Sequence, residues 1–281
     1  MSALSQRKIV VVVGGGDGWL AALDLAAAEA GRRRLPLWLW QAHPVPEGAD
    51  RHTTLSTMLR RACAAWPDLS VTGRTVTGDP AEVLIEASRT ATMVVVTGPG
   101  PADHHGPGRA PVWARVAAHA YCPTLVVPPE PLSWPDGPVL VGVGMTGEDE
   151  PAIGFGFEEA DVRGVPLLAA HVWSGIPASA LASVNPYAYD LSEARSAADR
   201  TLAETLAGWA DKYPDVPVER MPMYDVNPAR TLCDASGLAG LAVVGARRHG
   251  RRSSQLLGSV TRALIERAAC PVAVVRPGHP A

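Results

Sequence analysis

The chain has 281 residues, 25 basic and 28 acidic side chains, a formal net charge of −3 and 47% hydrophobic residues. It is long enough for two ordinary domains, and too close to charge balance for a general nucleic-acid binder. No apolar stretch approaches the roughly 20 residues that span a bilayer, and the opening MSALSQRKIVVVV lacks a signal-peptide layout, so a soluble, cytoplasmic protein is expected.

Short β-branched runs alternate along the chain with alanine-rich segments of helical spacing. In the first half, strands are expected near 8–14, 35–42, 69–76, 92–98 and 123–128, and helices near 18–31, 51–66, 80–89 and 111–120. The second half puts strands near 139–144, 165–173, 216–223, 240–245 and 271–276, and helices near 149–163, 190–211, 228–236 and 259–268. Alternation of this kind gives βαβ units, and unbroken runs such as Val94-Val95-Val96 suit parallel strands buried on both faces. The segment from Trp173 to Asp190 is longer than its first-half counterpart and reads as a surface insertion or a lid.

The two halves are copies of one another. "IVVVVGGGDGWLAALDLAAAEA" from Ile9 matches "VLVGVGMTGEDEPAIGFGFEEA" from Val139, and "LPLWLWQAH" matches "VPLLAAHVW". "GDPAEVLIEAS", "TMVVVTGPG" and "AYCPTLVVPP" find partners in "VNPARTLCDAS", "GLAVVGARR" and "AACPVAVVRP", in the same order. The expected layout is α/β with two tandem domains, 1–130 and 137–281, joined by "PPEPLSWPDGP" from Pro128 to Pro138. Each domain should hold a five-stranded parallel sheet with helices on both faces. The two sheets should pack as a pseudo-dimer, with the strands after Cys122 and Cys270 close together, because such pairing covers two exposed edges at once.

One loop stands out. It leaves a strand at Gly245, carries Arg247, Arg248, His249, Arg251 and Arg252, and delivers the chain to Gly258-Ser259 at a helix start. Ligands on open α/β sheets sit beyond the carboxyl ends of the strands. A helix beginning at Gly258, Ser259 and Val260 offers unpaired N–H groups and a positive dipole end to an anion, and guanidinium groups suit phosphate. The same residues also fit a plain reading, in which Ser259 only caps its helix and the arginines form a solvated basic surface.

The spacing Gly245, two residues, Arg248, nine residues, Gly258-Ser259 resembles the nucleotide loop of the universal stress protein family, whose tandem members the whole chain resembles. The resemblance implies the adenine nucleotide alpha hydrolase-like fold and dimeric association, met here by an intramolecular pseudo-dimer or by a homodimer, with protein partners unspecified. ATP is the implied ligand, and the resemblance places it in the second half. The family gives its second loop glycine to the position of Arg248, and an Asp to the position of Gly144 (Gly14 in the first half). A backbone contact to adenine would fall at Val172. Both departures lead us to expect weak binding. In the first half Gly98 is kept, but Pro101 and Pro111-Val112 replace the remaining motif residues, and proline has no N–H to offer. Asp17 and Asp149 read as helix N-terminal carboxylates.

Nothing in the sequence assembles a catalytic triad, a carboxylate pair or a metal set. His104 and His105 beside Asp103 fall short of the three or four convergent ligands a metal needs. Cys63, Cys122, Cys233 and Cys270 form no CxxC pair and read as buried thiols in a reducing compartment. Trp38 and Trp40 lie two apart on one strand face and read as core packing, and His43, His119 and His171 as structural histidines. The expected function is therefore non-enzymatic, a stress-response protein with one weak nucleotide site. A nucleotide-independent interaction scaffold is the main alternative and a slow ATPase the lesser one.

Overall fold

The computed structural model describes residues 7–13, 18–43, 51–100, 110–129, 135–144, 147–173, 191–246 and 257–277. The first half runs β1 (Ile9–Val13), α1 (Trp19–Arg33), β2 (Leu37–His43), α2 (Arg51–Ala65), β3 (Val71–Thr77), α3 (Pro80–Ala87), β4 (Met93–Thr97), α4 (Val112–His119) and β5 (Thr124–Val127). The second repeats it as β6 (Val139–Gly142), α5 (Glu150–Arg163), β7 (Leu167–Trp173), α6 (Leu191–Lys212), β8 (Val218–Tyr224), α7 (Pro228–Ala235), β9 (Leu241–Gly245), α8 (Ser259–Arg267) and β10 (Val272–Val275). Every expected element is found, with ends displaced by a few residues.

The strand order is β3-β2-β1-β4-β5-β10-β9-β6-β7-β8. Within each half all neighbours are parallel, and the two halves have the same internal order. The expectation of two separate sheets is corrected here. β5 and β10 pair antiparallel, Leu125 opposite Ala273, and fuse the halves into one ten-stranded sheet. Two short, apolar edge strands with unpaired backbone groups satisfy each other, which leaves β3 and β8 as the outer edges among the described residues.

Residues along each central strand alternate between two cores. Val11, Leu39 and Val95 face one core, beneath α1, α2, α5 and α6; Val10, Val12, Trp40 and Val94 face the other, beneath α3, α4, α7 and α8. Trp38 and Trp40 share a face as expected, with ring centroids 6.2 Å apart. The cysteine expectation holds only in part. Cys122 and Cys270 are buried, and burial pushes both thiols up to about 12, so they stay neutral. Cys63 is exposed, because Met58 and Ala62 take the inward face of α2 and Cys63 falls on its outer side.

A second tie joins the halves over the β5–β10 seam, and the sequence did not announce it. Glu29 and Arg33 of α1 meet Glu159 and Arg163 of α5, the residues at the same places in the repeat. Arg33 bonds both Glu29 and Glu159; Arg163 Nη2 donates to Glu29 at 2.6 Å and its Nε to Glu159 at 3.1 Å. Both carboxylates are 0% exposed.

Candidate nucleotide site

In the second half the chain moves outward from β6 through β7 to β8, then returns to β9 on the other side of β6. That reversal opens a crevice beyond the carboxyl ends of β6 and β9, the general place for a ligand on such a sheet. Gly144 lies two residues past β6, Val172 is the penultimate residue of β7, and Gly245 ends β9. Gly258 caps α8 with φ −64° and ψ 156°, and no side chain bonds the cap.

Ser259 is therefore not the cap of its own helix. It is the first helical residue, exposed, with no hydrogen bond from its hydroxyl among the described residues. The N–H groups of Ser259 and Val260 precede the first possible acceptor within the helix, so they face outward without intrahelical partners. Thr261, which the sequence reading passed over, fixes this geometry: its hydroxyl donates to the Gly245 carbonyl at 2.9 Å. One bond thus holds the strand end and the helix start together. A hydroxyl two residues past a Gly-Ser start was the available signal. Arg248 and the other residues of the arginine loop lie outside the described residues, as do Gly14, Asp17, Pro101, His104 and His105.

Asp149 is at the helix N-terminus, as the sequence suggests. It occupies the N-cap position of α5 without a side-chain capping bond and is 4% exposed. A Cβ on Gly245 would come within 3.0 Å of its Oδ1, so glycine is what lets this carboxylate pack against the end of β9. His171 Nδ1 lies 2.9 Å from the Val143 carbonyl, the structural role expected of it.

The first half is built differently at the same place. Gly98 N–H donates to Val127 O as Ala246 N–H donates to Val275 O, so Gly98 takes the place of Ala246 and Thr97 that of Gly245. Pro111 caps α4 where Gly258 caps α8. On the face shared with these helices, β1 and β2 carry Val12 and the 8%-exposed Trp40, whereas β6 and β7 carry Gly142 and Ala170 at the matching positions. An indole fills what two small residues leave more open.

These features invite comparison with known proteins. The family model described as "Universal stress protein family" matches residues 137–276. A universal stress protein of Mycobacterium tuberculosis is 34% identical over 295 residues, covering 96% of this chain and 98% of the relative. The chain belongs to the universal stress protein family. A second universal stress protein of the same organism is 31% identical over 298 residues, covering 98% of each chain. Among solved structures, a universal stress protein from Archaeoglobus fulgidus superposes with a TM-score of 0.66 at 14% identity over 97% of both chains. A Pseudomonas aeruginosa protein gives 0.66 at 17% identity, over 98% of this chain and 94% of its own. At such identities the likeness shows the fold alone. No helix among the described residues is long and apolar enough to cross a membrane, and no group of three His, Cys, Asp or Glu among them could hold a metal ion.

Proposed function

We propose that this universal stress protein is a non-enzymatic, cytoplasmic stress-response protein that binds an adenine nucleotide, ATP, weakly and only in its second half. The observation that carries the reading is the asymmetry of the helix starts. Gly258 leaves backbone donors open beside Gly245, while Pro111 withdraws one at the matching place and Trp40 fills the space nearby. Anions bind helix N-termini because unpaired N–H groups and the dipole act together.

A second reading, an interaction scaffold without nucleotide, is favoured by Asp149. Its carboxylate lies against Gly245, and a phosphate brought there would meet a like charge. The nucleotide reading survives this if the phosphates stay at Gly258–Val260 and Asp149 faces hydroxyl or amino groups. Binding on the order of 10 μM or poorer is expected, where 1 μM corresponds to about −8.2 kcal/mol.

Calorimetric titration with ATP of the wild-type protein and of Arg248→Gly tests both readings. If Arg248 crowds the phosphate, the variant binds more tightly; if its guanidinium contacts phosphate, the variant binds less tightly. No heat from either protein at millimolar ATP overturns the nucleotide reading, and the scaffold reading takes its place.

A further inference from the structure

The seam between the halves is covered differently on its two faces. On one, α1 and α5 meet through Glu29, Arg33, Glu159 and Arg163. On the other, a cavity of about 480 Å³ separates α4 from α8, inside the range of roughly 300–1,000 Å³ that small-molecule sites occupy. Its two walls are chemically unlike. Ala110, Pro111, Trp113 and Ala114, from α4 and the residues leading into it, carry no charge. Arg115, next along α4, bonds Asp79 at 2.8 Å instead and leaves that wall apolar.

The wall from α8 is polar. Ser259, Arg262, Ala263, Glu266 and Arg267 stand at i, i+3, i+4, i+7 and i+8, one stripe of a helix, and all of them line the cavity. Arg262 is neutralised by Glu266, with Nε 2.8 Å from Oε1. Arg267 and the Ser259 hydroxyl have no hydrogen bond or ion pair among the described residues. The stripe therefore carries one uncompensated positive charge, opposite a surface that can only offer apolar contact.

We propose that this groove is a second ligand site, apart from the nucleotide crevice, and that it takes a small amphipathic anion of the class of a medium-chain carboxylate. The hydrocarbon body lies on Pro111, Trp113 and Ala114, where contact with water is lost. The carboxylate lies on the Arg267 guanidinium, a charge-assisted pair. A protein helix, about 10–12 Å across with its side chains, would exhaust the volume in roughly one turn, so a small molecule fits better than a protein partner. Ser259 borders both sites. Arg267 is about 12 Å farther along α8, at 1.5 Å per residue, so occupancy of the groove does not depend on ATP.

Fluorescence titration with anilinonaphthalene sulfonate, an aromatic anion, tests the groove, with decanoate and decyltrimethylammonium as competitors. The expected result is a single dye site per chain, emptied by decanoate and not by the cation. Arg267→Gln should weaken dye binding about fivefold, as loss of one partly exposed charged hydrogen bond would. Ala114→Trp fills the groove and should abolish binding, with circular dichroism as the check on folding. Should Ala114→Trp not fold, Arg267→Gln decides alone, since Arg267 is exposed at a helix end. Calorimetry of Arg267→Gln with ATP should match the wild type, so failure of ATP to bind leaves the dye result standing. Undiminished dye binding in the variants, or displacement by the cation as readily as by decanoate, overturns the proposal. A dimer in sedimentation velocity that Ala114→Trp dissociates also overturns it, because a second copy would then occupy the groove.

Discussion

Arg34 follows α1 with φ 53°, a left-handed backbone that costs a side-chain-bearing residue roughly 1 kcal/mol relative to glycine. The second copy solves the same helix end with Gly164 at φ 65°. Arg34→Gly should therefore stabilise the protein by about 1 kcal/mol, less a small gain in unfolded-chain entropy, read as a higher urea midpoint at unchanged slope. At this scale the sequence was legible where chemistry is local. Gly258 and Ser259 stand at a helix start because a glycine-serine pair after a loop is a start signal. Asp149 stands at the helix N-terminus where it was read, but its packing against Gly245 and the Thr261 bond to Gly245 were not legible, because Gly245 is distant in sequence. First-half numbering slipped for the same reason: Gly98 was matched to Gly245 by counting, but the backbone bonds set it opposite Ala246.

Among the elements, strands and helices were read in order because the apolar runs and the helical spacing are strong. What escaped was how closely they approach one another. Gly240, just before β9, lies so near the start of the second half that a Cβ would be 2.8 Å from Gly137 O and 2.9 Å from Pro135 O. Backbone cannot step aside as a flexible side chain can. Gly240→Ala should cost about 2 kcal/mol or more, as overpacking does, and lower the melting temperature by several degrees. The Glu–Arg ring was hidden for a related reason. In "EAGRR" and "EADVR" a Glu stands four residues before an Arg, a spacing common on exposed helix faces, and only the docking of α1 against α5 buries the pairs. The signal available was the repetition of the same pair at the same place in both copies.

At the scale of the molecule, two halves of one strand order differ in detail. Two copies with the same strand order join through β5 and β10, so the tandem chain carries within itself an edge-to-edge pairing that would otherwise need a second molecule. The sequence showed that these edges should meet; it could not show that they would hydrogen-bond into one sheet, since register is not written in four-residue apolar strands. The halves differ at the crevices, with Trp40 and Pro111 in one and Ala170 and Gly258 in the other. The most direct test of that account is ATP calorimetry on the wild-type protein and on Gly258→Pro. Gly258 already has φ −64°, inside the range proline requires, and Pro111 caps α4 with φ −51° and ψ 152°, so the fold should tolerate the change. The account predicts one ATP per wild-type chain, and at least a tenfold loss of affinity in Gly258→Pro with an unchanged circular dichroism spectrum. Two ATP per chain, or undiminished binding by Gly258→Pro, would contradict it.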